Sequence, residues 1–201
     1  MALEFIFGTT ANCSDGVCGQ LKRTILDPAE QTLTHLVIEP THNDAVGRLV
    51  PIGLVESAQG EIGLSCTRAQ FDQLDPADIV QLAEGRNYAD HRNDDAVLEY
   101  RDVSPDKLGK QTPMLTSHEV PEGETEEDRH GRVQATDGRI GHLNGFVVAK
   151  GDHKVTHLLL CEGHLWGRKD VAIPADAVSS MKDGIDLNIT KKQVEDLPGR
   201  D

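Results

Sequence analysis

The chain has 201 residues, 37% of them hydrophobic, and carries a formal charge of −14 from 34 Asp/Glu against 20 Lys/Arg. That charge repels a phosphate backbone, which proteins meet with clustered Lys and Arg, and one Trp, two Tyr and four Phe supply no base-stacking platform. Direct nucleic-acid binding is therefore not expected, and no run of about 18–20 apolar residues is present to span a bilayer.

In chain order, Leu3–Thr9 and Gly19–Leu26 read as strands. The opening MALEFIFGTT is apolar but short, and it lacks the basic region of a signal peptide, so a cytoplasmic protein with reduced cysteines is expected. Asp27-Pro28 supplies a turn. Thr32–Glu39, Arg48–Pro51 and Glu61–Cys66 follow as strands at the close spacing of a small all-β barrel. Thr67-x-x-Gln70 predicts a capping box opening a short helix, with Phe71 and Leu74 on its apolar face and Pro76 forbidding continuation.

The next stretch differs in character. Ala77–His130 carries 14 Asp/Glu against six Lys/Arg, a net of −8. Within it, His118–Arg129 (HEVPEGETEEDR) holds six carboxylates and little to bury, which predicts a solvated, self-repelling linker. Residues 79–130 are thus expected to be an acidic linker, partly disordered or with short docked elements, Ile79–Leu82 and Ala96–Leu98 being the apolar candidates. Strands are expected again at Gly131–Ala135, Gly141–Ala149, Lys154–Cys161, Lys169–Ile173 and Gly184–Ile189. In the last of these, Ile185, Leu187 and Ile189 alternate with Asp186 and Asn188. Thr190-x-x-Gln193, Val194, Leu197 and Pro198 then repeat the helix signal.

The two ends of the chain match. Asp15–Leu36 and Asp137–Leu158 align at a constant offset of 122 with seven identities in 22 positions, including the Asp-Gly pair and a Thr-His-Leu triplet. The echo resumes at Gly47-Arg48/Gly167-Arg168 and closes on the capping boxes. Residues 1–78 and 131–201 therefore read as two copies of one small domain, each near the size where a lone core is marginal. Pairing of the copies about a pseudo-twofold axis, or of two chains as a homodimer, would bury the remaining apolar surface.

An Asp-Gly-x-x-Gly-x-Leu opening, a Thr-His-Leu-hydrophobic strand, a Gly-Arg loop leading to Val50-Pro51 or Ile173-Pro174, and a closing Leu-x-x-Thr-x-x-Gln together resemble the PRC-barrel family. That family includes the cytoplasmic domain of the photosynthetic reaction centre H subunit and the C-terminal domain of the ribosome maturation factor. The resemblance covers Leu3–Pro76 and Gly131–Pro198 and leaves the acidic stretch outside. It implies two small antiparallel β-barrels, each closed by a short C-terminal helix, acting as protein-docking modules without a shared catalytic set or cofactor. The chain lacks the transmembrane helix of the one relative and the second domain of the other, so neither specific role transfers.

Few residues suggest chemistry. Cys13 and Cys18 flank the Asp15-Gly16 turn, which brings them near each other across a hairpin as a redox pair or half a metal site. Against that stand two small buried hydrophobes, since the second copy has Ala135 and Ile140 there. Cys66 and Cys161 end predicted strands as core filling. His142, His153, His157 and His164 cluster without paired zinc spacing, and His35 matches His157. Leu165-Trp166 is the candidate partner contact, with a barrel plug as the alternative. No nucleophile elbow, phosphate loop or dinucleotide fingerprint occurs. The expected function is non-enzymatic docking to unidentified protein partners. The alternatives are a thiol- or metal-responsive regulator using Cys13 and Cys18, and an assembly factor for a ribonucleoprotein.

Overall fold

The computed structural model describes residues 2–40, 46–82, 114–118, 120–129, 131–162, 170–181 and 184–200. The first half runs β1 (Ala2–Ile6), β2 (Thr10–Cys13), β3 (Gly16–Asp27), β4 (Thr32–Glu39), β5 (Arg48–Pro51), β6 (Val55–Gln59), β7 (Glu61–Leu64) and helix α1 (Arg68–Phe71). After β8 (Asp78–Leu82), β9 (Met114–His118) and β10 (Thr125–Asp128), the second half runs β11 (Arg132–Ala135), β12 (Gly138–Ala149), β13 (Val155–Glu162) and β14 (Asp170–Pro174). It ends with β15 (Val178–Ser180), β16 (Ile185–Leu187), α2 (Lys191–Glu195) and β17 (Gly199–Arg200).

The protein is mainly β, with two large sheets of the same strand order. The first is β5-β4-β3-β2-β7-β6, and the second is β14-β13-β12-β11-β16-β15 with β17 beyond β14. In each, the β2–β7 or β11–β16 pair is parallel. Hydrogen-bonded pairing among the described strands follows an open path in both sheets, where closed barrels were expected. β8 and β9 pair antiparallel as a separate two-stranded sheet.

The sequence repeats have identifiable architectural causes. Gly16 and Gly138 turn at φ of 138° and 125°, conformations that favour glycine. The preceding Asp15 and Asp137 each accept from the first backbone N–H of the terminal helix, Arg68 and Lys191, at 2.8 Å. Both capping boxes form as the sequence predicts, Thr67 with Gln70 and Thr190 with Gln193. In the Thr-His-Leu triplets, Thr34 Oγ1 donates to Ile25 O and Thr156 Oγ1 to Val147 O, both at 3.0 Å. Both bonds lie where the strand register shifts, between Ile25/Leu26 and Val147/Val148. Leu36 and Leu158 fill the core.

The halves interlock by exchanging strands. β1 precedes the first half but pairs with β12 of the second, Phe5 opposite Phe146 and Leu3 opposite Val148. β10 precedes the second half but pairs with β3 of the first, Glu127 opposite Thr24 and Thr125 opposite Leu26. Every one of these positions is related by the same offset of 122 seen in the sequence. One hydrophobic core therefore runs from Leu3 and Leu21 through Phe146 to Val194. Two expectations change accordingly. The first strand stops at Ile6 and belongs to the second sheet, and Thr125–Asp128 is a sheet strand where a solvated linker was expected. Its four consecutive polar residues conceal the strand in the sequence. Among the described residues, no helix is long and apolar enough to cross a membrane.

Candidate functional site

Two places on the first half combine reactive or charged side chains without a counterpart among the described residues of the second half. The first is a thiol cluster. The Asp15-Gly16 hairpin carries Cys13 on β2 and Cys18 at the bulge of β3, where Asn12 faces Val17 and Ala11 faces Gly19. Cys66, just beyond β7, completes the group: Cys13 Sγ lies 3.9 Å from Cys66 Sγ, and Cys18 Sγ donates to Ala11 O at 3.3 Å. All three are free and buried. Burial raises the Cys13 thiol well above its ordinary value, the neighbouring Cys18 and Cys66 adding to it, and burial raises Cys18 as well. Thiols held protonated in an apolar site are poor nucleophiles.

The structure thus brings together the predicted Cys13 and Cys18 and adds Cys66, which the sequence reading had assigned to core filling. The side chain of Cys161, and Leu165-Trp166 with His164, lie outside the described residues. Among the described residues, no group of three or more His, Cys, Asp or Glu is arranged to hold a metal ion.

The second place is the acidic strap Val120–Asp128, which lies along the first sheet. Arg23 on β3 anchors it: its guanidinium donates to both Asp78 carboxylate oxygens at 2.7 and 2.8 Å and reaches Glu126 at 2.8 Å. His118 Nδ1 meets Glu126 Oε2 at 2.7 Å, and its Nε2 is 3.8 Å from Asp78. Further along, Thr34 Oγ1, whose one proton serves either Ile25 O or Glu124, lies 2.6 Å from Glu124 Oε2, with His35 Nδ1 3.7 Å from the same carboxylate. Beneath, Val120 and Leu49 pack on a small second cluster of Ile25, Val37 and Ala77.

One strap residue turns inward. Glu127 is 4% exposed. A Cβ at Gly131 would stand 2.7 Å from Glu127 Oε2, so the carboxyl lies against a position that only glycine leaves open. Burial, reinforced by Asp128 and Glu126, pushes its pKa up to about 7. Sequence reasoning missed Glu127; the signal was its alignment, at the common offset, with the apolar Phe5.

Nothing in this geometry lines up a nucleophile, a base and an oxyanion site. The Thr34–His35 contact recurs as Thr156–His157 at 3.1 Å in the second half, where it serves the strand bulge. The chain matches no known protein-family model, and comparison with curated proteins finds no relative that matches it.

Proposed function

We propose that this chain is a non-enzymatic protein-docking module, built from two PRC-barrel-like halves that arose by internal duplication and act as one body in the cytoplasm. The observation that carries the reading is the reciprocal strand exchange, in which matched registers pair β1 with β12 and β10 with β3. The buried β1 strand and the shared core join the halves, which suits a scaffold. The twinned residues of both halves serve turns, caps and core. The net charge of −14 suits a basic or mixed-charge protein surface and disfavours nucleic acid.

Affinity capture from lysate with and without nuclease, followed by reconstitution with the purified protein that is retained, tests this. Retention that survives nuclease and reconstitutes as a binary complex is expected. Retention that nuclease removes would instead favour the ribonucleoprotein assembly factor.

A second reading, a thiol-responsive regulator, is favoured by the convergence of Cys13, Cys18 and Cys66 on one site. Peptide mapping by mass spectrometry under reducing and oxidising conditions tests it. Three thiols that remain reduced through oxidation remove it.

A further inference from the structure

The two exchanged strands occupy equivalent places and present opposite chemistry. β1 turns Leu3 and Phe5 into the core, both buried. At the matching inward positions, β10 carries Thr125 and Glu127. Thr125 Oγ1 is buried with no hydrogen-bond partner, and Glu127 is buried with its carboxyl against Gly131. Both lose most of their hydration on docking, so both inward side chains oppose it. What holds β10 is its backbone ladder on Arg23–Leu26 and the outward contacts of Glu124 and Glu126.

We propose that the flank of β3 along Arg23–Leu26 is a strand-acceptor site for an extended partner peptide with apolar residues at alternate positions, and that β10 is the internal segment this peptide displaces. The partner's chemistry follows from β1, which shows what the equivalent flank of β12 holds. Main-chain hydrogen bonds give such a strand its affinity, and alternate side chains give its specificity. An internal strand competes at high effective concentration, so an outside peptide succeeds only where the internal one fits poorly. The inference rests on the docking reading and names its partner class.

Acidity sets how firmly β10 competes. The charged groups acting on Glu127 are Asp128 and Glu126 on its own strand, while Arg23 on β3 and His118 are engaged by Asp78 and Glu126. The Glu127 pKa is about 7 when docked and returns towards its ordinary 4.5 when released. Docking is therefore favoured most below the lower value and weakens as pH rises through the upper one. From pH 6 to pH 8 the docking equilibrium falls about tenfold.

The probe is a labelled peptide of the sequence ALEFIF, as in residues 2–7, titrated into the full-length protein. Binding about tenfold tighter at pH 8 than at pH 6 is expected, with no binding of a control peptide carrying Glu in place of both Phe. Glu127→Leu should lock β10 and weaken binding at least tenfold at pH 8, and Glu127→Gln should remove the pH dependence. Hydrogen exchange, corrected for intrinsic rates, should show β10 losing protection with rising pH while β1 keeps it. Absence of peptide binding at pH 8 overturns the proposal. Equal binding by Glu127→Leu also overturns it, because the peptide would then be displacing β1. Persistence of the pH dependence in Glu127→Gln overturns the role of Glu127. Failure of peptide binding leaves the lysate result intact, so the acceptor site and the docking reading fail separately.

Discussion

β1 and β10 form the same antiparallel ladder on equivalent strands, yet one is a structural staple and the other is a poor fit. Phe5 is fully buried opposite Phe146, with Phe7 set edge-on to the Phe146 ring at 6.4 Å between centroids. Gly145 lets β1 approach, since a Cβ there would collide with the carbonyl of Phe5. At the equivalent place on β3 stands Arg23, whose side chain reaches out to Asp78 and Glu126. Backbone pairing alone is thus not what separates a permanent strand from a removable one. Inward side chains make that distinction, and two sheets of the same strand order fill the same slot in two ways.

The most direct way to break this comparison is to remove the staple. Phe5→Ala deletes a large, fully buried side chain and should cost about 3–5 kcal/mol, read as a lower urea midpoint for the whole protein. A loss below about 1 kcal/mol would show that β1 contributes no more than β10 and would erase the contrast. Gly145→Ala comes next, at about 1–3 kcal/mol, because backbone must move to admit the methyl group.

Glu127→Leu sharpens the comparison from the other side by giving β10 a side chain like that of Leu3. At pH 8 the native carboxyl is ionised in a buried site, so the substitution should stabilise the protein by about 1–3 kcal/mol. The sign with pH is fixed by the raised pKa. Below about 4.5 both docked and released forms are protonated, and the gain from leucine is smallest. It grows between 4.5 and 7 as the released form alone ionises, and levels off above 7. Urea midpoints at pH 5 and pH 8 check this, and an equal gain at both would exclude titration of Glu127. Smaller still, Thr67→Ala and Thr190→Ala should each cost about 1 kcal/mol, alike because the two capping boxes are alike.

The sequence made the twinned parts of the fold legible and left the exchanged parts obscure, for a physical reason. Strands such as β4 and β13 announce themselves because β-branched and aliphatic residues recur on a buried face, and the capping boxes because side chain and backbone interact within three residues. β2 and β6 were missed because each is only four or five residues long and mixes polar with small side chains. β10 reads as Thr-Glu-Glu-Asp, and only its partner strand makes it a strand. Pairing across the halves is non-local, and period-two patterning reports burial within one strand without naming the strand it joins. The thiol site was half legible for the same reason. The hairpin places Cys13 near Cys18 through two turn residues, whereas Cys66 arrives from 53 positions away.

The smallest expected effect concerns those thiols. The second half has Ala135, Ile140 and Ile189 where the first has Cys13, Cys18 and Cys66, so the fold itself has no need of sulfur there. Burial keeps Cys13 and Cys18 protonated, and a thiol reacts through its thiolate. Iodoacetamide at pH 8 should therefore modify Cys13, Cys18 and Cys66 of the native protein at least about tenfold more slowly than in urea, as read by peptide mapping. Where strong oxidation does force a link, Cys13 should pair with Cys66, whose sulfur is 3.9 Å away, because Cys18 is held by the carbonyl of Ala11. Rapid alkylation of the native protein would reverse the ranking of the two halves. The first half would then carry a reactive site on an architecture it shares with the second, and the thiol-responsive reading would displace docking as the better account of why the two ends of this chain differ.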